Sequence, residues 1–184
     1  MMIYLFLAPG FEEVEALTPA DYLRRCELDV KLVGVGGKAI TGSHGITVNC
    51  DMTAEEAAAL AAKELPDMVI LPGGMPGTRN LERSEAVTKM ITDCDQAGKK
   101  VGAICAAPSV LGHMGLLNGR RAVCFPGFEQ ELSGAIVGSE PVVTDGNIIT
   151  SKGAGTANQF AFALVAALLG QERADSLKAV LQWD

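Results

Sequence analysis

Apolar strand-like runs alternate with helix-like ones along the chain, and this alternation is what most narrows the folds open to it. Strands that arrive one at a time, each followed by a helical pattern, are joined by crossovers. They therefore build a parallel sheet with helices on both faces. The strand-like runs fall at residues 2–7, 29–33 and 68–71, in a run ending at Cys105, and then at 122–124, 142–144 and 148–150. Helical patterns are expected over 12–25, from Thr53 to about Glu64, between Ser84 and Gly98, from Pro108 to about Gly115, and over 156–169 and 174–181. Thr53 with Glu56 three residues on has the form of a capping box. A short hairpin is expected with arms near 39–40 and 46–48, Gly42 and Gly45 marking its turn. Asp145-Gly146-Asn147 marks a second turn.

With 184 residues, 48% of them hydrophobic, the chain suits one domain, residues 1–184, with a sizeable core; chains of this size bury roughly 70% of their extended surface. The 21 glycines and 5% aromatic content fit a compact α/β protein rich in tight turns. A formal charge of −7, with no Lys/Arg cluster, argues against a nucleic-acid partner. The apolar start stops at Ala8-Pro9-Gly10 and has no basic residue before it, so it reads as a buried strand rather than a leader. The run 160–169 is well short of the ~20 residues of a membrane span. Five cysteines without a CxxC pair suggest reduced thiols and a cytoplasmic setting, and no zinc site is evident.

In sheets of this kind ligands bind beyond the carboxyl ends of the strands. One such end has the form of a nucleophile elbow. The stretch Lys99-Lys100-Val101-Gly102-Ala103-Ile104-Cys105-Ala106-Ala107-Pro108-Ser109 runs from a strand into a helix start with a cysteine at the corner. Such a turn closes when the residues two before and two after are small, here Ala103 and Ala107. Pro108 fits a first helical turn, so the N–H groups after Cys105 are expected to point at the sulfur and to stabilise a thiolate. Glu15 shares a helical stripe with Phe11, Thr18 and Tyr22, whereas Glu12 and Glu13 face outward more easily. Should Glu15 border Cys105, the two would share one proton. Gly73 and Gly74, after the strand at 68–71, lack a Cβ and could offer backbone N–H groups to an oxyanion. Only two histidines exist, His44 in the hairpin turn and His113 on the elbow helix; neither adjoins Cys105 in sequence, so a Cys-His mechanism has no obvious base. Cys26, Cys50, Cys94 and Cys124 read as packing residues.

With Ala8-Pro9-Gly10-Phe11-Glu12-Glu13-Val14-Glu15, Leu71-Pro72-Gly73-Gly74 and Ala103-Ile104-Cys105-Ala106-Ala107-Pro108 in that order, the chain resembles the ThiJ/PfpI superfamily, and within it the DJ-1 branch. Thr150-Ser151-Lys152-Gly153-Ala154-Gly155-Thr156 is similar to a late motif of the same family. The resemblance implies a flavodoxin-like three-layer α/β sandwich, related to class I glutamine amidotransferase domains, and a homodimer. It implies that Cys105 is nucleophilic and oxidation-sensitive, that Glu15 hydrogen-bonds it, and that Gly73, Gly74 and Ala106 are backbone donors around the pocket. Cys124-Phe125-Pro126 departs from members that place a histidine before that proline. His44, near where some relatives carry an arginine that reaches the partner's pocket, is a candidate accessory residue. Ala106 after the cysteine disfavours the protease branch, and the absence of a downstream His-x-Glu pair disfavours glutamine hydrolysis.

The resemblance implies glutathione-independent glyoxalase or protein deglycase activity, or a chaperone or sensor role in oxidative stress. The expectation from the residues is carbonyl detoxification by Cys105 and Glu15, acting on a small aldehyde or glycated substrate without metal or organic cofactor. The rival expectation is a redox sensor or holdase that works through oxidation of Cys105.

Overall fold

The computed structural model describes residues 1–183. Strand β1 (Met2–Leu7) is followed by α1 (Glu13–Arg25), β2 (Asp29–Gly34), the hairpin β3 (Ala39–Thr41) and β4 (Thr47–Asn49), β5 (Met52–Thr53) and α2 (Ala54–Ala61). Next come β6 (Met68–Leu71), α3 (Gly77–Arg83), α4 (Glu85–Gln96), β7 (Lys100–Ile104) and α5 (Pro108–His113). The chain then forms β8 (Arg121–Ala122), β9 (Ile136–Val137), β10 (Val142–Asp145), β11 (Ile148–Ser151), α6 (Ala157–Leu169) and α7 (Gln171–Val180).

Seven strands make one sheet in the order β10-β11-β7-β6-β1-β2-β5, parallel except where β10 pairs antiparallel with β11. Ile3, Leu5 and Leu7 of β1 enter one apolar cluster with α1, α6 and α7, while Tyr4 and Phe6 enter a second with α2, α4 and α5. A strand buried on both faces reads as a continuous apolar run, which is why β1 has no polar alternation. The result is the flavodoxin-like sandwich, a mostly parallel sheet between two helical layers. Gly102 of β7 lets α6 lie close against the sheet, since a Cβ there would come within 2.9 Å of Leu164 and 3.1 Å of Phe160.

The expected capping box is present, with the Glu56 N–H donating to Thr53 Oγ1 at 3.2 Å and the Thr53 N–H donating to Glu56 at 2.8 Å. Several boundaries differ from the sequence reading. Helix α2 stops at Ala61, and the elbow helix ends at His113 because the chain turns at Gly115 with φ +73°. Ser84 precedes α4 but its side chain makes no cap hydrogen bond. The strand expected at 122–124 is β8 at Arg121–Ala122, paired with β9 outside the main sheet, and helix α3 and β9 have no counterpart in the sequence reading.

Strand order places the site. The chain runs from β1 to β2 on one side and then returns to β6 on the other, so the order in which strands are added reverses at β1/β6 while the strands stay parallel. A crevice opens outside the carboxyl ends of strands at such a point. The loops that follow β1, β6 and β7 there carry Ala8-Pro9-Gly10, Pro72-Gly73-Gly74 and Cys105.

Candidate active site

Cys105 occupies the corner between β7 and α5 with φ +65°, a left-handed conformation that costs a non-glycine residue roughly 1–3 kcal/mol. Backbone bonds on both sides fix it: its N–H donates to Ser151 O at 2.9 Å, and its carbonyl accepts from the Phe125 N–H at 2.8 Å. Ala103 and Ala107 are fully buried, as the closure of the turn requires, and Pro108 takes the first position of α5. The N–H groups of Ala106 and Gly74 hydrogen-bond the sulfur. Cys105 is half-buried, whereas the other four cysteines are buried.

Glu15, only 1% exposed, projects from the first turns of α1 beneath the loop after β6. The Gly73 N–H donates to its Oε2 at 2.9 Å, and the carboxyl shares a hydrogen bond with the Cys105 sulfur. Gly73 is thus a donor to the carboxylate rather than an open oxyanion donor. Ala106 and Gly74 remain as the donors at the sulfur. A Cβ on Gly73 would stand 2.6 Å from the Cys105 Cβ and 2.7 Å from Glu15 Oε2, so only glycine fits between the pair. Gly73→Ala is expected to force the two apart, cost about 1–3 kcal/mol of stability by overpacking, and slow alkylation of Cys105 by iodoacetamide. Chemical denaturation and an alkylation time course check this.

Burial opposes charge on both members of the pair. It pushes Glu15 up to about 7, against the hydrogen bonds from Cys105 and the Gly73 N–H. It also pushes the Cys105 thiol up to about 12, reinforced by the charge and hydrogen bond of Glu15 and only partly offset by the Ala106 and Gly74 amides. This corrects the expectation of a sulfur made acidic by its elbow alone: burial and the neighbouring carboxylate outweigh the amides. The two groups titrate together. One proton leaves near pH 7, and from there to about 12 the pair holds one proton and one negative charge.

Glu13, which the sequence reading faces outward, is only 4% exposed. Its Oε1 accepts the His44 N–H at 2.8 Å and the Ile46 N–H at 3.4 Å, and its Oε2 lies 3.0 Å from His44 Nδ1. Burial works against its charge, but these hydrogen bonds prevail and hold it down at about 2. Glu13 therefore pins the β3–β4 hairpin turn to the start of α1. The spacing of Gly42 and Gly45 reveals the turn but not what it packs against. His44 is committed to Glu13 and stands 3.5 Å from Glu12, so within this chain it is not brought to Cys105. His113 lies 2.5 Å from Glu82 and 3.4 Å from Glu131, a structural tie between α3, α5 and the turn at 129–131. Glu12, Glu13 and His44 bring their ligand-type atoms within 4.8 Å of one another, but the Glu13 carboxylate is already satisfied by Ser43, His44 and Ile46.

Cavity size does not locate this site. A depression of ≈ 800 Å³ lies over Pro9, Gly36, Asn80 and Lys89 and includes neither Cys105 nor Glu15. Hydrogen-bonded nucleophile and carboxyl groups carry more chemical information than volume.

Residues 1–167 match the DJ-1/PfpI family. The chain belongs to that family. Among relatives of this DJ-1/PfpI chain, Drosophila melanogaster protein dj-1beta is 35% identical over 172 residues, covering 92% of this chain and 90% of its own length. A Pyrococcus abyssi protein named a deglycase is 33% identical over 157 residues, covering 83% of this chain and 90% of its own. In structure, a DJ-1 superfamily protein of Salmonella typhimurium superposes with a TM-score of 0.93 at 36% identity, covering 100% of this chain and 98% of that one. Toxoplasma gondii DJ-1, solved oxidized, gives 0.93 at 32% identity, covering 99% and 98%. No helix among the described residues is long and apolar enough to cross a membrane.

Proposed function

We propose that this DJ-1/PfpI chain is a cysteine-dependent enzyme that detoxifies reactive carbonyls, acting on methylglyoxal or early glycation adducts without a metal or organic cofactor. The hydrogen-bonded Cys105–Glu15 pair, with two N–H groups on the sulfur, carries this reading. Its reactive form is the minor tautomer of the singly charged pair, with the proton moved to Glu15 and the charge to sulfur. The sulfur attacks the aldehyde carbon, a C–S bond forms, and the carbonyl electron pair moves to oxygen, which takes the Glu15 proton to give a hemithioacetal. The Glu15 carboxylate then removes the hydrogen on that carbon as a proton, and the electron pair passes into an enediolate across the neighbouring ketone. The Gly74 and Ala106 N–H groups stabilise the oxyanion. Return of the proton to the neighbouring carbon leaves a thioester, which water cleaves to lactate and free thiol. Methylglyoxal plus water becomes lactate, with no outside oxidant or reductant.

The Pyrococcus abyssi relative's name, deglycase, supports the same chemistry on glycated groups. The reading includes a homodimer working in the cytoplasm, and the charge of −7 fits a protein without a nucleic-acid partner. Purified protein mixed with methylglyoxal is expected to release lactate in step with methylglyoxal loss. Consumption of no more than one equivalent, with no lactate, overturns the assignment.

A second reading, a peroxide sensor or holdase, is favoured by the half-buried state of Cys105 among otherwise buried cysteines. The thiolate would attack a peroxide oxygen, forming an S–O bond as the O–O bond breaks and hydroxide leaves, to give a sulfenic acid, and a second peroxide would in the same way give the sulfinate, held by the same amides. The oxidized form of the Toxoplasma gondii relative is consistent with it.

A further inference from the structure

Phe125 stands where the family resemblance leads one to look for an imidazole, and the residue is 48% exposed although it follows the buried Cys124. Two contacts fix its position relative to the reacting atoms. Its N–H donates to the carbonyl of Cys105 at 2.8 Å, so its backbone is tied to the elbow. Its ring lies over Gly153: a Cβ built on Gly153 would be 3.2 Å from the ring, and 3.8 Å from Glu15 Oε1. The aromatic ring and the Glu15 carboxyl thus both lie within 4 Å of one point beside Gly153, where a side chain would come between them. Phe125, Pro126 and residues 152–156 line a depression of ≈ 310 Å³, at the low end of the range of small-molecule pockets; Cys105 and Glu15 are not in its lining, and Gly153 and the Phe125 backbone join it to them. The Lys152 ammonium is turned onto Ser139 O at 2.5 Å. Two glycines, an alanine, a proline and the aromatic face thus give the hollow a largely apolar character.

An exposed aromatic ring whose backbone is bonded to the elbow and which lies near the Glu15 carboxyl stacks against flat or apolar groups and gives nothing to a small hydrophilic aldehyde. We infer that Phe125 is a specificity-determining residue, and that the hollow it forms with Pro126 and the Gly153–Thr156 segment holds the aryl or bulky alkyl substituent of an α-oxoaldehyde whose aldehyde carbon reacts at Cys105. This rests on the carbonyl reading above and names its substrate class. The chemistry is unchanged: the aryl analogue phenylglyoxal, with one water, becomes mandelate, again without net oxidation or reduction.

Two measurements test the shelf separately from the catalysis. In turnover, kcat/KM for phenylglyoxal over methylglyoxal is expected to favour phenylglyoxal. Phe125→Ala should lower that ratio roughly tenfold, chiefly through KM, while Phe125→Tyr restores it. In single-hit alkylation, Cys105 should react with N-phenylmaleimide faster, relative to N-ethylmaleimide, than a free thiol does, and Phe125→Ala should remove that advantage. The residue is half exposed, so circular dichroism of the variant is expected to match the parent. Lactate formation with no aryl preference in either measurement overturns the shelf and leaves the carbonyl reading intact. Aryl preference in alkylation without any product acid overturns the carbonyl reading and leaves the shelf. Failure of Phe125→Tyr to restore the ratio also counts against the ring.

Discussion

Replacing Cys105 with alanine is expected to lower lactate formation on the order of 10³-fold or more, the scale lost when the group that forms the covalent bond is removed. Alanine at φ +65° is as strained as cysteine, so the elbow keeps its shape and the loss belongs to the sulfur rather than to the turn. The same variant separates the two functional readings. Limiting peroxide should add two oxygens to the parent at this position alone, because the other four thiols are buried, and Cys105→Ala should show no such addition. Lactate production equal to the parent's refutes the carbonyl reading, and oxidation spread over the buried thiols refutes the sensor.

Glu15→Gln should reduce turnover roughly 10²- to 10⁴-fold, the usual contribution of a positioned proton carrier, and yet make the fold more stable. The sign follows from where each state releases its proton. The folded carboxyl does so near 7 and the unfolded one near 4.5, so between these values the folded state holds the extra proton and stability falls as pH rises. Above pH 7 the buried charge costs about 3 kcal/mol, the free energy that separates the folded carboxyl's acidity from the unfolded one's. Glutamine removes that cost, so the gain should be absent below pH 4.5, grow through pH 7 and then level off in urea melts run across pH. Alkylation gives a second signature. The parent should show two rises in rate, near 7 and near 12, and the variant a single rise below the upper one, because both the charge and the hydrogen bond of Glu15 hold the thiol up. A parent profile with one step, or a variant that gains nothing over the parent at pH 8, contradicts the coupled pair.

The parts of this fold written in local chemistry are legible in the sequence. β1 announces itself as an unbroken apolar run because both its faces are covered, Thr53 and Glu56 carry their cap in four residues, and the small residues around Cys105 mark the elbow. α3 is silent because Gly77-Thr78-Arg79-Asn80-Leu81-Glu82-Arg83 has no capping side chain and no apolar stripe beyond Leu81. The burial of Glu13 is hidden because its partners, His44 and Ile46, sit some thirty residues away in the hairpin. The direction in which Cys105 moves is hidden for a related reason. The amides that favour its charge are neighbours in sequence or in an obvious glycine loop, whereas the depth that opposes it belongs to the assembled layers.

The sheet's two margins have a consequence for how copies of this chain can meet. One is β5, two residues long, and the other is β10, four residues long and reversed in direction, with the side chain of its Asp145 engaged by the Arg121 N–H of β8. Neither offers the long flat rim that recruits a foreign strand. Continuation of the seven-stranded sheet is thereby disfavoured as a route to self-association, which leaves side chains on helices and loops as surfaces where single substitutions can tune it without touching that backbone ladder.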